Sequence, residues 1–212
     1  MNVSEMRHEY GGGSLRPEDV ARDPIATLAR WLEEAAEAGQ REPNAMALGT
    51  LAPDGRPTVR MVLLKGLDAR GLSFYTHLES PKSRDIRAEP RVALTFWWER
   101  LERQVRVEGR CAPVDDAEAD AYFVQRPRRS RLGALASRQS EPIESRAVLE
   151  QRLAELEALH PEGTDVPRPR DWGGWRVVPT RFEFWQGRRD RLHDRLSVEA
   201  SEDGWTVRRL SP

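Results

Sequence analysis

The sequence predicts an α+β protein built on an antiparallel β-barrel, and two patterns carry this prediction. Short segments rich in apolar and β-branched residues recur along the chain, and most are joined by turns that contain glycine, as in β-hairpins. Segments with helical spacing lie between and around these strands and do not alternate with them one by one. About eight strands joined in this way are typical of an antiparallel barrel.

The individual elements follow from the apolar periodicity, taken in chain order. Asp23 and Pro24 are suited to the N-cap and first position of a helix that runs to Gly39, and Asp54-Gly55 marks the turn of the first hairpin. Strands are predicted over 45–51, 58–65, 72–77, 91–98, 101–114, 175–186, 191–200 and 204–210. Further helices are predicted over 80–89, 115–125, 129–137 and 145–160.

Length and charge limit the organisation and the partners of the protein. A chain of 212 residues without an evident linker is predicted to be one domain, 1–212, in which residues 1–22 form a flexible N-terminal arm. Charged residues make up 33% of the chain, and 34 basic residues nearly balance 35 acidic ones. Proteins that bind nucleic acids usually carry a basic excess, so we expect no nucleic-acid partner.

The distribution of cysteine and apolar residues indicates a compartment. The one cysteine, Cys111, excludes a disulfide within the chain, which fits a reducing environment. No apolar run approaches membrane-spanning length, and the first residues lack the apolar segment of a signal peptide. We therefore expect a cytoplasmic protein without a membrane partner.

The common motifs of nucleotide binding, nucleophilic catalysis and metal binding are missing from the sequence. It contains neither GxGxxG after a strand nor GxxxxGK[ST], and it has no GxSxG. The four histidines show no spacing typical of metal ligands, so we expect no metal site. What remains is a set of segments suited to a small anion.

The first candidate segments contain the two lysines of the chain. Only Lys65 and Lys82 stand among 32 arginines, and a compact ammonium is not interchangeable with a guanidinium. Lys82 belongs to SPKSRD, in which Ser80 as cap and Pro81 at the first position predict a helix start. A helix N-terminus favours phosphate, although an ordinary capped surface helix explains the segment as well.

Two arginines, Arg60 and Arg126, are further candidates for contacts with an anion. Arg60 shares a strand face with Val62 and Leu64, and a charge among apolar residues needs an anionic partner, either a ligand or a neighbouring carboxylate. Tyr122 and Arg126 are spaced i, i+4, so on a helix they could bind one oxyanion together. A solvated basic helix end is the alternative for that pair.

The segment FWQGRRDRLHDR, residues 184–195, is the richest in charge. If its end RLHDR begins a strand, Arg191, His193 and Arg195 lie on one face, with Trp185 a short turn away. A salt-bridged surface would interleave charges of opposite sign on that face. The segment therefore favours a pocket for a small anion.

Taken together and in order, these segments resemble the pyridoxine (pyridoxamine) 5′-phosphate oxidases, which are FMN-dependent enzymes of vitamin B6 metabolism. The resemblance extends from about residue 7 to the C-terminus, and it implies an FMN-binding split β-barrel with surrounding helices and a homodimer whose flavin sites use both subunits. It rests on RHEY (7–10), RMVLLK (60–65), FYT (74–76), LERQV (101–105), YFVQRPRRS (122–130), SRQS (137–140), WGG (172–174), FWQG (184–187) and RLHDR (191–195).

The resemblance also implies roles for individual residues. FMN contacts are implied for Arg60, Met61, Val62, Leu63, Leu64, Lys65, Tyr75, Thr76, Lys82, Gln104, Gln139, Ser140, Trp185 and Arg195. Contacts to the substrate's phosphate are implied for Lys65, Tyr122, Arg126 and Ser130. Arg191 and His193 would flank the pyridine ring as catalytic residues, with Arg7 and Tyr10 as a lid. Pro81 departs from the family, where arginine often precedes the lysine, and we expect somewhat weaker FMN binding.

The reaction implied by the resemblance is the oxidation of pyridoxamine or pyridoxine 5′-phosphate to pyridoxal 5′-phosphate. Hydride would pass from the substrate's C4′ to flavin N5, and dioxygen would reoxidise the flavin to give hydrogen peroxide. In this scheme Arg191 orients the substrate and His193 handles a proton. Two alternatives are a split-barrel flavin oxidase with another substrate and a non-enzymatic binder of flavin or pyridoxal phosphate.

Overall fold

The computed structural model describes residues 2–6, 8–20 and 23–212, and this part of the chain contains nine strands and five α-helices. The strands are β1 (Ala45–Leu51), β2 (Pro57–Leu63), β3 (Gly66–Asp68), β4 (Gly71–His77), β5 (Arg91–Trp98), β6 (Arg103–Pro113), β7 (Trp172–Gln186), β8 (Asp194–Ser201) and β9 (Gly204–Leu210). The helices are α1 (Pro24–Glu37), α2 (Pro81–Ala88), α3 (Asp116–Gln125), α4 (Arg128–Ala136) and α5 (Arg146–Leu159).

The strands form one antiparallel sheet that curls back on itself. The strand order is β2-β1-β5-β6-β7-β4-β3, while β8 pairs with the second half of β7 and with β9. The strands at the two ends of this path, β2 and β3, are consecutive in the chain, with only Leu64 and Lys65 between them. The predicted α+β fold with a mostly antiparallel split barrel is therefore confirmed.

The core lies between the curled sheet and helix α1. Buried residues alternate with partly buried ones along β1 and with mostly exposed ones along β5, as expected of strands with one face on a core. Helix α1 begins as predicted, because the Asp23 carboxylate accepts hydrogen bonds from the N–H groups of Ile25 and Ala26. Trp31 of α1 packs edge-on against Phe184, with ring centroids 5.3 Å apart.

Two predictions about strands are wrong in detail. Residues 66–71 lie between two predicted strands, where we expect a turn, but they contain the short strand β3, which pairs with β4 and raises the strand count to nine in the described residues. The strand predicted over 191–200 begins only at Asp194. Asp190 and Arg191 have φ angles of 58° and 61°, and such left-handed residues cannot continue an extended strand.

Two predictions that depend on helices are also wrong in detail. Helix α3 ends at Gln125, as predicted, so Arg126 lies just beyond it in an extended conformation and does not share a helical face with Tyr122. Pro127 disfavours a helical conformation in the residue before it. Ser80 does precede α2, but its side chain does not cap the helix. Its Oγ donates instead to the carbonyl oxygen of His77 at 2.7 Å.

Parts of the N-terminal arm contact the barrel. Leu15 and Val20 are buried, and the N–H groups of Gly11 and Gly12 donate to the Glu102 carboxylate. The flexibility of residues 1–22 stays a prediction. Among the helices of the described residues, none is both long and apolar enough to cross a membrane.

Candidate active site

A cavity of about 830 Å³ lies beside strands β2 and β4 and helices α3 and α4, within the size range of ligand sites. Lys65, Lys82 and Arg126 contribute cations to it, and no carboxylate occurs among the described residues that line it. We call it the anion cavity. It is lined by Met61, Val62, Leu63, Lys65, Tyr75, Thr76, His77, Lys82, Tyr122, Gln125, Arg126, Pro127, Ser130, Gly133, Ala134, Ser137, Gln139 and Trp172.

Lys82 is a buried cation whose hydrogen-bond partners in the described chain are all neutral. Its Nζ donates to Gln139 Oε1 at 2.6 Å, to Thr76 Oγ1 at 3.1 Å and to Ser80 Oγ at 3.4 Å. Burial, and secondarily the charge of Arg60, lowers the pKa of Lys82 to about 8. A buried ammonium without a counter-charge is costly, so this position favours an anionic ligand.

Arg126 is a second cation without an ionic partner in the described residues. Its guanidinium lies 4.7 Å from the ring centroid of Trp172 and 5.5 Å from that of Phe123. Its Nη1 is buried and makes no hydrogen bond there, and burial lowers the pKa of the group. The aromatic rings hold the guanidinium, and its Nη1 is left for a ligand.

Tyr122 belongs to a stack of three aromatic rings with Tyr75 and Trp172, and Trp172 is also the ring that contacts the Arg126 guanidinium. The rings of Tyr75 and Tyr122 are 4.1 Å apart with an interplanar angle of 16°, and Tyr75 also stacks on Trp172 at 5.5 Å. Tyr75 lies opposite Gly174 in the pairing of β4 with β7, where an added Cβ would stand 2.8 Å from the tyrosine ring. A glycine at 174 therefore allows the Tyr75 ring to lie against β7.

Arg60 and Leu64 are among the predicted flavin contacts that do not line the anion cavity. The Arg60 guanidinium donates to the hydroxyl oxygens of Thr50 and Thr58 and lies 3.4 Å from the Asp85 carboxylate. The sequence left two partners open for Arg60, a ligand or a neighbouring carboxylate, and the structure contains the carboxylate, that of Asp85. Leu64 belongs to the core. A contact of either residue with FMN stays a prediction.

The rings of Tyr10, Trp97, Trp185 and His193 form a second group, which we call the aromatic cluster. Trp185 lies 4.6 Å from His193, 5.6 Å from Tyr10 and 6.0 Å from Trp97, measured between ring centroids. Tyr10 also contacts His193 edge-on at 5.4 Å. The cluster brings together Tyr10, Trp185 and His193 of the predicted site, whereas Arg7 lies outside the described residues.

His193 has a defined tautomer in this cluster. The N–H group of Arg188 donates to His193 Nδ1 at 3.1 Å, so a neutral ring carries its proton on Nε2. Burial, and secondarily the charge of Arg191, lowers the pKa of His193, which keeps the ring neutral at neutral pH. The expected strand face of Arg191, His193 and Arg195 is wrong, because the left-handed Arg191 precedes β8.

Gln104, Trp185 and Arg195 lie abreast on three neighbouring strands. Gln104 of β6 pairs with Trp185 of β7, which pairs with Arg195 of β8. Arg195 Nε donates to the buried Glu183 carboxylate at 2.9 Å, which fixes the guanidinium beside this row. Ser140 follows the cavity residue Gln139 but does not itself line the anion cavity.

The anion cavity and the aromatic cluster contact opposite ends of β7. Gly174, opposite Tyr75, and Trp185 are eleven residues apart on this strand, about 36 Å along it at about 3.3 Å per residue. No residue of the aromatic cluster is among those that line the anion cavity. The predicted site residues therefore form two groups in one chain.

His77 is the main residue of the cavity that the sequence reasoning did not single out. It is 7% exposed, and its Nδ1 lies 3.7 Å from Asp171 Oδ2 without a hydrogen bond. Its position after Tyr75 was the available signal, because residues i and i+2 of a strand face the same side. Gln125 and Ser137 were missed as well, and nothing in the pattern distinguishes them from surface residues.

Comparison with known proteins decides the family. Residues 32–160 match the family described as pyridoxamine 5′-phosphate oxidase, and residues 172–212 match the pyridoxine 5′-phosphate oxidase C-terminal dimerisation region. The chain belongs to the pyridoxamine 5′-phosphate oxidase family. Membership in this family of oxidoreductases supports a flavin cofactor, and the C-terminal match supports a homodimer.

Members with close sequences cover the whole chain. A pyridoxine/pyridoxamine 5′-phosphate oxidase of Rubrobacter xylanophilus is 56% identical over 211 residues, which span 100% of this chain and 97% of the relative. A protein of the same name from Cupriavidus pinatubonensis is 53% identical over 211 residues and 99% of both chains.

Two solved structures are similar to this chain, and one of them contains a bound ring carboxylate. PhzG from Burkholderia lata, in complex with tetrahydrophenazine-1-carboxylic acid, has a TM-score of 0.88 and 34% identity, with 95% of this chain and 99% of that chain covered. A pyridoxamine 5′-phosphate oxidase-related, FMN-binding protein from Nostoc punctiforme has a TM-score of 0.70 and 18% identity over 94% of this chain and 100% of its own. The second likeness concerns the fold alone.

Proposed function

We propose that the protein is an FMN-dependent oxidase that converts pyridoxamine 5′-phosphate or pyridoxine 5′-phosphate to pyridoxal 5′-phosphate. The observation that carries this proposal is the anion cavity, in which Lys65, Lys82 and Arg126 meet no lining carboxylate in the described chain. A cofactor and a substrate that both carry phosphate are suited to such a cavity. The names of the curated relatives agree with this reaction.

The residues of the anion cavity divide between two phosphate groups. Lys82, Thr76 and Gln139 already form one hydrogen-bonded group, and we assign it to the phosphate of FMN. Tyr122 and Arg126, with Ser130 at the start of α4, form the second group, which we assign to the substrate together with Lys65. Holding the substrate by its phosphate fixes the position of C4′ before reaction.

A second copy of the chain completes the site in this proposal, because the aromatic cluster lies far along β7 from Tyr75. An apolar stripe on the outer face of the sheet offers a surface for that copy. Val59 and Met61 of β2 are 73% and 65% exposed, and Trp97 of β5 is 43% exposed. Large exposed apolar side chains grouped on one face are typical of subunit contacts.

The residues near the pyridine ring hold and orient it in this proposal. Bound FMN supplies the hydride acceptor, and dioxygen and water complete the reaction of the amine, which yields pyridoxal 5′-phosphate, ammonia and hydrogen peroxide. Because His193 is held with its proton on Nε2, we assign it the role of a hydrogen-bond donor to the substrate. Arg191, in its left-handed conformation, orients the ring from the same loop.

We predict that Arg191→Met slows flavin reduction by about 100-fold and leaves FMN content unchanged. Loss of an orienting contact acts mainly on the reactive geometry, and misplacement of about 1 Å is enough for an effect of this size. Stopped-flow absorbance under anaerobic conditions measures the reduction rate. Arg189→Met, an exposed change in the same loop, is the control. Loss of FMN without a change in reduction rate would contradict the assignment of Arg191.

The proposed activity is tested by comparing phosphorylated and unphosphorylated substrates. We expect hydrogen peroxide to form with pyridoxamine 5′-phosphate at a kcat/KM at least about 100-fold above that for pyridoxamine, because the cavity cations hold the phosphate. Equal values for the two substrates would remove the support that the anion cavity gives to this function.

A second candidate is the oxidation of a carboxylated ring system. It is favoured by the likeness to PhzG from Burkholderia lata, whose structure contains tetrahydrophenazine-1-carboxylic acid. Higher identity to the curated pyridoxine/pyridoxamine 5′-phosphate oxidases speaks for the first candidate. Peroxide formation with a reduced phenazine carboxylate, and none with either B6 phosphate, would favour the second.

A further inference from the structure

His77 lies inside the anion cavity, faced by charged groups from three elements. Lys82 comes from α2, Arg126 from the end of α3, and Asp171 from the residue before β7. The ring is buried, and its Nδ1 has no hydrogen-bond partner in the described part of the chain. The nearest carboxylate oxygen, on Asp171, is 3.7 Å from Nδ1.

Without a ligand, these surroundings favour the neutral imidazole. Burial is the largest cause that lowers the pKa of His77, and Lys82 and Arg126 lower it further by their charge. Asp171, whose side chain is half exposed, raises the pKa by more than either cation lowers it, but burial outweighs this effect. A phosphate in the cavity would change this balance, because its charge offsets that of the two cations.

We propose that His77 takes up a proton when the phosphate of FMN occupies the anion cavity, and that it then becomes an additional cationic contact for that phosphate. One N–H of the imidazolium is directed to Asp171, and the other is left for the phosphate. This inference rests on the proposed function, which places FMN beside Lys82. Because the bound state has the higher pKa, the stabilisation is present at low pH and is lost as the pH rises through that value.

Calorimetry of FMN binding to the apoprotein tests the proton uptake. Titrations at pH 7 in two buffers of different ionisation enthalpy give the number of protons bound, for the wild type and for His77→Asn. The phosphate of FMN titrates near pH 6 itself, but this contribution is the same for both proteins. We expect the wild type to bind about half a proton more than the variant, because only the wild type has an imidazole that can take up a proton when the phosphate binds.

The affinity ratio is a second readout of the same difference. The advantage of the wild type over His77→Asn in FMN affinity should fall about threefold between pH 6.5 and 7.5, a range that lies below the pKa of Lys82. Riboflavin, which lacks the phosphate, should show no such difference. Asp171→Asn should reduce the proton uptake while the His77 ring is retained. Thermal melting curves of His77→Asn and Asp171→Asn test whether both variants are folded.

The possible outcomes distinguish a failure of the His77 proposal from a failure of the proposed oxidase function. Equal proton uptake by the wild type and His77→Asn, with FMN bound to both, overturns the role of His77 and leaves the oxidase proposal intact. A difference that appears only when pyridoxal 5′-phosphate is added to the FMN-loaded protein assigns His77 to the substrate's phosphate and overturns the FMN assignment. Failure of the wild type to bind FMN overturns both proposals.

Discussion

Lys82→Met is expected to weaken FMN binding by about 100-fold. The ammonium is buried, its described hydrogen-bond partners are neutral, and loss of one member of a buried charge pair typically costs 2–5 kcal/mol, about 30-fold or more. Quenching of flavin fluorescence by the apoprotein measures the affinity. Arg87→Met, an exposed change at the other end of α2, is the matched control.

The same substitution should not destabilise the apoprotein. The pKa of Lys82 is about 8 in the folded chain and higher in the unfolded chain, so the unfolded state binds more protons between these values. The stability of the apoprotein should therefore rise as the pH increases through about 8, and this rise should be missing in Lys82→Met. Thermal melts at pH 7 and pH 9 measure the difference. A variant that loses both FMN affinity and apoprotein stability would indicate a structural role for Lys82.

Arg126→Met is expected to lower kcat/KM for pyridoxamine 5′-phosphate by about 100-fold or more and to leave FMN content unchanged. The guanidinium is held between aromatic rings with its buried Nη1 unpaired in the described chain, so a substrate phosphate is its expected partner. Steady-state peroxide formation measures the effect. Turnover of unphosphorylated pyridoxamine should change little in the same variant.

Arg129→Met is the control for Arg126. Arg129 belongs to the same RPRR segment, but it is exposed and pairs with Glu157 at 3.3 Å, away from the cavity lining. An equal loss of activity in both variants would show that the segment as a whole, and not the Arg126 guanidinium, supports turnover. Loss of FMN in Arg126→Met would instead place this arginine at the cofactor.

The regular part of the fold could be predicted from the sequence because apolar periodicity is a local property. The strands 45–51, 91–98 and 204–210 have the predicted bounds. The loop before β8 could not be predicted, since its left-handed Asp190 and Arg191 are not glycines. Contacts between distant residues stabilise such conformations, and a local pattern does not contain them.

The site could be predicted in part. Pattern and resemblance together name Lys82, Tyr122 and Arg126, which the structure brings into one cavity. The partner of Arg60 could not be predicted, because Asp85 is 25 residues away in sequence and approaches only through the packing of α2 on the barrel. The strand pattern could place His77 on the same face as Tyr75, but its surroundings could not be predicted, since they come from α2, the end of α3 and the start of β7 at once.

The central claim is that this chain binds FMN and uses it to oxidise a B6 phosphate, and the visible spectrum tests it most directly. The purified protein is kept free of oxygen, pyridoxamine 5′-phosphate is added in a stoichiometric amount, and air is then admitted. We predict a yellow protein that bleaches with the substrate and regains its colour in air. A protein that contains FMN but stays yellow with pyridoxamine and pyridoxine 5′-phosphates would contradict the proposed function, and one that does not bind FMN would contradict the cofactor as well.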